Sequence, residues 1–515
     1  MDQATSVRLP PSCPLQIVSS FRYLGVIIQH PMASYVKTNL DPLIGRMKTT
    51  FKTWANLPLT LLGRINIFKM IFLPRFLYVL GNSPVYVTKN KFKEIDSILT
   101  SFLWGGGAVR IAKDTLQLPV LEGGLALPCL QMYYIASQLA HVHWWFYPEA
   151  NNAATALEAA ILTSYESLQN LIHRMSLGGR EGTSIIAMTL RIIKLTKLQV
   201  PSSSNTYSPN TPLWGNPNLP EFFRRSDGGY WSKRGVKTIL HLFSGNVFRT
   251  FEEFRRDYNL PRTAYFLYLQ IRHTAATQFG LRNIVVQLSR LERLLTDPSH
   301  TKLVSTYYGS LLHTTTQRLS KAAASWRADI PELTEEIWQE VLPLQVPSVI
   351  SSRDKVIQTK LLYRSYFTPC LLFKLSRIPS ALCSRCGAAD GTFFHMMWEC
   401  APIRKFWSEV TAFISSLTEI PNICNPLRCL LGHIDDETIS KNMQTFLRIV
   451  LFYAKKSITF HWKSPSLPTI TFWLTTINRA IPLYKMTYEA RGCPKKFLKV
   501  WGSWVDSEST IPPAP

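Results

Sequence analysis

The stretch LCSRCGAADGTFFHMMWEC, from Leu382 to Cys400, holds four side chains that ligate transition metals: Cys383, Cys386, His395 and Cys400. Their spacing is C-x2-C-x8-H-x4-C. Two thiolates separated by two residues can grip one ion from a tight turn, and Gly387, directly after Cys386, suits that turn. His395 and Cys400 would close a tetrahedron from a helix or a second turn. All four positions are filled by protein. The predicted site is therefore structural, holding one zinc ion with no open position for a reactive water. The alternative is that these residues simply sit in a core, but ordered spacing over so short a stretch favours the metal. Cys424 and Cys429 form a weaker pair and are read, with Cys13, Cys129, Cys370 and Cys493, as ordinary thiols.

Arg385, Arg404 and Lys405 lie in or beside this stretch, as do Phe393, Phe394 and Trp398. Cations that pair with phosphates and aromatics that stack on bases are how small zinc knuckles hold single strands. Packing around the metal is the competing reading for the three aromatics, and the favoured one for at least two of them. Other chemistry finds little purchase. No P-loop, G-x-S-x-G or H-E-x-x-H pattern occurs. The one Asp–Asp pair, Asp435–Asp436 in GHIDDETI, is the residual candidate for an unrecognised enzymatic site. His141 and His143, beside Trp144 and Trp145, read as helix packing.

The surrounding chain has 515 residues, 46% of them hydrophobic, so real cores and more than one domain are expected. Its charge is unusual: 57 Lys and Arg against 33 Asp and Glu, a formal +24. Such an excess calls for an anionic partner, most simply nucleic acid. A membrane surface is the competitor, but it would concentrate charge on one amphipathic helix, whereas these cations are spread along the chain. The start, MDQATSVRLPPSCP, is not a secretory signal. The most apolar segment, Thr60 to Leu80, carries Arg64, Lys69 and Arg75 and reads as a docked helix, not a membrane span. Nine cysteines in a long chain favour a reducing, intracellular setting over a disulfide scaffold.

Phe21 to His30 reads as a short strand stopped by Pro31. Val36, Leu40, Leu43, Met47, Phe51 and Trp54 then recur at helical spacing, with Lys37, Lys48 and Lys52 on the flank and Arg46 round the back. Asp41–Pro42 predicts either a kink or a cap there. Helices follow over Thr60 to Leu80 and up to the glycines after Trp104. A turn at Gly123–Gly124 precedes a helix to about Phe146. The Pro-, Ser- and Asn-rich stretch Val200 to Pro220 reads as a long loop or linker. Ser351 to Asp354 has a capping-box pattern. Helices are expected around IRKFWSEVTAFISSL and NMQTFLRIVLFYAKKSITFHW, and disorder in the tail. The fold class is mainly α.

Several of these stretches, in order, resemble one family. FRYLGVII is similar to the strand that follows the catalytic palm in reverse transcriptases of LINE-type non-LTR retrotransposons. LPLTLLGRINIFKMIFLPRFLYVL and FKEIDSILTSFLWGGG look like that family's thumb, and EGGLALPCLQMYYIASQL like a segment just beyond it. YRSYFTPCLLFK and the Cys/His stretch resemble its carboxy-terminal cysteine/histidine segment. The resemblance runs from Phe21 to about Trp504 and is weakest between Asn151 and Gly245. It implies a residual palm-edge strand over 1–30, thumb-like helices over 31–110, and a helical middle over 111–345 with a loop near 200–220. A zinc-knuckle module over 346–420, a helical region over 421–506 and a disordered tail over 507–515 complete the layout.

The family's paired polymerase aspartates would lie before Phe21, and neither they nor its endonuclease are present. The expected function is thus binding of RNA or an RNA–DNA hybrid without catalysis, Lys37, Lys48 and Lys52 gripping a duplex backbone. The setting is the nucleus or a cytoplasmic ribonucleoprotein. A decayed element's product with no role is the alternative.

Overall fold

Apolar side chains spaced three and four apart make most of the chain helical, and the fold is mainly α as expected. The computed structural model describes residues 18–147, 152–161, 168–174, 185–196, 206–216, 219–225, 228–278, 285–313, 319–345, 349–464 and 466–507. Among these, strands form only two-stranded pairs. No helix among them is long and apolar enough to cross a membrane.

The run Phe21 to His30 is a hairpin and not one strand: Ser20–Tyr23 pairs antiparallel with Val26–Gln29. Leu24 and Gly25 turn the chain with φ of 46° and 87°. Positive φ at both central residues is the backbone of the two-residue turn whose twist matches antiparallel strands. Ser20–Tyr23 is exposed along its whole length, so its apolar character does not mark burial.

The next helix starts as a wide π turn, Val36–Leu40, and continues as Asp41–Trp54. Leu40, Leu43, Met47 and Phe51 are buried along the expected stripe. Asp41 has helical angles and is no cap; its carboxylate pairs with Lys91 at 2.8 Å. The π turn sits just before Pro42, which has no N–H for a regular ladder and whose ring crowds the preceding turn. Phe68–Phe72 repeats the device before Pro74, within the helical run that Thr60 caps through its hydroxyl.

By internal contacts the chain forms two units: Met1–Thr50 with Phe72–Asp96 and Cys129–Thr314, and Phe51–Ile71 with Ser97–Pro128 and Thr315–Pro515. In the first, the helix Leu130–His143 is the hub, packed against Leu73–Gly81, Ile185–Thr196 and Leu303–His313. A further core runs from Leu213 to Ala275. The stretch expected as a loop or linker therefore does more than connect: Leu213 and Trp214 are buried in that core. Gly228, at φ +74°, lies against the Trp214 ring so closely that a Cβ would come within 2.4 Å.

In the second unit one core extends from Ala323 to Trp504. It passes without interruption through the residues around 420 and includes both Cys383 and Cys400. Helices Ala401–Thr418, Lys441–Phe460, Ile470–Ala490 and Pro494–Ser507 pack on one another around buried Trp407, Trp473, Trp501 and Trp504. The expected capping box is not formed. Ser351 precedes helix Ser352–Leu362 without a side-chain cap, and Asp354 turns inward to Lys456, 2.7 Å away, and the Tyr453 hydroxyl. A carboxylate that finds a cation in the core has no spare reason to reach back to its own helix start. The tail beyond Ser507 and the leader before Val18 lie outside the described residues.

Candidate metal centre

The first two candidate ligands sit on a turn closed by backbone bonds. Cys383 N–H donates to Ala389 O and Gly387 N–H to Cys383 O, both at 2.8 Å, while Leu382 and Asp390 form a bridge beneath. Gly387 is at φ +64°, which only glycine adopts without cost. The lead-in helix Pro369–Lys374 anchors this turn through Cys370 N–H to Gly391 O.

The other two ligands come from a third π turn, His395–Glu399. Thr392 Oγ1 accepts the His395 N–H at its start, and Cys400 N–H donates to His395 O at 2.9 Å at its end. In an α-helix, residues five apart face about 140° away from each other at 3.6 residues per turn. The wider turn brings Cys400 back beneath His395. Cys400 then starts helix Ala401–Thr418, with Pro402 in its first turn.

All four ligand atoms lie within 4.8 Å of one another, so the cluster can hold a metal ion. Cys383 Sγ and Cys400 Sγ are 3.8 Å apart, and Cys386 Sγ and His395 Nε2 are 3.4 Å apart. A tetrahedron with metal–sulfur bonds of about 2.3 Å and metal–nitrogen bonds of about 2.0–2.1 Å requires about 3.8 Å and about 3.6 Å for these pairs. The donor set therefore fits one ion at its centre. Among the described residues this is the one group of three or more such side chains so placed. None of the described cysteines is in a disulfide.

The thiols have unequal surroundings. The Ala388 N–H, with help from His395 and Ala389, holds Cys386 down to about 6 against partial desolvation. Burial, reinforced by Cys383, pushes Cys400 up to about 12. A bound cation would relieve that burial penalty. The free His395 Nδ1 faces the Glu399 carboxylate at 3.9 Å, the side on which metal-bound histidines find an orienting carboxylate.

The neighbouring candidates divide. Arg385 is turned inward: its guanidinium donates to Met396 O at 2.6 Å and, at longer range, to Ile458 O and His461 O. It also lies over the Trp462 ring. Its sequence position suggested a phosphate contact, but its two terminal nitrogens tie the π turn to helix Lys441–Phe460, and its buried Nε has no partner. Phe393 and Phe394 are buried, and Phe393 packs between Trp326 and Trp462. Trp398 leans on Trp407. All three aromatics are thus packing residues. Arg404 and Lys405 are exposed on the first turn of helix Ala401–Thr418. Lys37, Lys48 and Lys52 are also exposed, the last two one turn apart on helix Asp41–Trp54.

Asp436 accepts from the Thr438 N–H and hydroxyl, a local turn, while Asp435 points to solvent. His141 and His143 pack as expected: His141 Nε2 meets Glu158 at 2.9 Å, and His143 bonds Tyr307 and His300. Sequence reasoning missed Thr392 and Glu399 as supports for His395; a threonine three residues before a helical turn was the available signal. The chain matches no protein-family model.

Proposed function

We propose that this chain is a nucleic-acid-binding protein whose Cys383, Cys386, His395 and Cys400 hold one structural zinc ion. In this reading it corresponds to the thumb and carboxy-terminal part of a LINE-type reverse transcriptase, acts inside the cell, and performs no nucleotide chemistry of its own. Its partner is RNA or an RNA–DNA hybrid. The observation that carries the binding reading is the formal charge of +24, with Lys37, Lys48, Lys52, Arg404 and Lys405 all exposed. The family reading is supported by the order of the similar segments and by the helical fold around the Cys/His cluster.

Zinc is the metal that a three-thiolate, one-imidazole tetrahedron suits best. It would supply no reactive water here, only cross-linking of the turn at 383–389 to the turn at 395–400. A divalent ion with three thiolates carries one net negative charge, and the inward Arg385 supplies the compensating positive one.

The test is the salt dependence of RNA binding, followed by fluorescence anisotropy. Affinity should fall steeply with salt, with a logarithmic slope of roughly −0.7 per phosphate neutralised on a single strand. A flat dependence, or no binding at low salt, would overturn the reading.

A further inference from the structure

We propose, on the basis of the nucleic-acid reading, that an open groove in the second unit seats a short single-stranded segment. Its phosphates would lie on Arg64, Arg353 and Lys360, and one base would lie on Trp104. The groove encloses about 580 Å³ between the start of helix Leu61–Ile67, the end of helix Lys89–Trp104 and one face of helix Ser352–Leu362. That volume is in the range of roughly 300–1,000 Å³ typical of ligand sites.

Its chemistry is one-sided. No carboxylate lines it, while three cations do. Arg353 and Lys360 are two turns apart on one helix face, and the acid between them, Asp354, points into the core toward Lys456. Among the described residues neither Arg353 nor Lys360 has a carboxylate partner. Lys360 is half-buried, and its pKa is lowered by burial and then by nearby Arg110. That combination describes a cation without its anion. Arg64 is fixed without being neutralised: its guanidinium donates to the carbonyls of Phe102 and Ala55 and lies over the Phe102 ring. The walls are joined by the Thr60 and Ser352 hydroxyls, 3.4 Å apart.

The floor is apolar and includes Leu61 and Val356, with Trp104 half-buried at one end. Cations at the rim and an indole face beside them are the two components of sequence-tolerant single-strand binding. An acidic peptide would use the cations but leave the indole without a stacking partner.

The experiment uses the full chain and a short fluorescein-labelled oligothymidylate. An Arg353→Ala/Lys360→Ala double variant should bind about tenfold more weakly. Its salt slope should be shallower by about 1.4, two phosphates' worth. Trp104→Leu should weaken binding about as much with the slope unchanged, because stacking releases no counterions. Lys441→Ala, an exposed cation outside the groove, is the control. In the wild-type chain, an oligonucleotide carrying 4-thiothymidine should photo-crosslink within residues 103–105 or 353–360, which reads the site without any substitution. Failure of the wild-type chain to bind would overturn this proposal and the broader reading together. Unchanged affinity and slope in the double variant, or cross-links confined to other segments, would overturn the groove and leave the broader reading standing. Equal competition by polyglutamate would remove nucleic acid as its ligand.

Discussion

Each unit contains a buried histidine cluster, and the two differ in what their polar atoms face. In the first unit His143 is fully buried, with Nδ1 on the Tyr307 hydroxyl and Nε2 on His300 Nδ1, both at 2.9 Å. Burial, then the neighbouring His300, lowers its pKa, so it stays neutral, with one nitrogen donating and the other accepting. Nearby in sequence, Glu292 is equally buried and accepts from His173, Ser208, Asn210 and the Ser289 N–H. Both His143 nitrogens and both Glu292 carboxylate oxygens already have partners. In the second unit three sulfurs and one nitrogen gather within 4.8 Å of one another, two of their pairs near tetrahedral separation. Residue type made both clusters candidates for chemistry. Only convergence on a shared centre separates a ligand set from a hydrogen-bonded core.

The largest expected effect probes the convergent cluster. Cys383→Ser/Cys386→Ser should abolish about one bound metal per chain, measured by mass spectrometry of the purified protein. It should also cost more than about 4 kcal/mol in denaturant unfolding of the second unit, the range reserved for lost metals and buried networks. Full metal content in the variant would erase the contrast between the clusters.

The second probe titrates Glu292. Its burial acts to raise the pKa, but His173, Ser208 and Ser289 outweigh that and hold it at about 2. A carboxylate depressed in the folded state contributes stability above its unfolded value, near 4.5, and loses it as pH falls toward 2. At about 1.4 kcal/mol per unit, the loss should be of order 3 kcal/mol. It should be absent in Glu292→Gln and insensitive to chelators. The smallest effect is that of His143→Phe, which removes one partner each from the Tyr307 hydroxyl and His300 Nδ1, at a cost of about 1 kcal/mol by denaturant melting, with metal content unchanged.

Much of this was legible beforehand. The stripe from Leu40 to Phe51 and the grouping of Cys383, Cys386, His395 and Cys400 follow from local spacing. The failures have a common cause. Arg385 and Asp354 were read as a phosphate contact and a capping residue because their partners, Ile458 and Lys456, lie 73 and 102 positions away. The hairpin at Leu24–Gly25 was hidden because an apolar run masked a two-residue turn. The groove cations come from separate segments, and no window of sequence contains them together.

Cys400 has a double duty. It closes the cluster and is also the residue from which the 18-residue helix Ala401–Thr418 departs, the helix whose inner side, Phe406 to Ile414, lies beneath the terminal helices. An oxidant that reached this sulfur would do more than spoil the cluster. It would unpin that rod at its root, and injury to one side chain would be felt as far as Trp504.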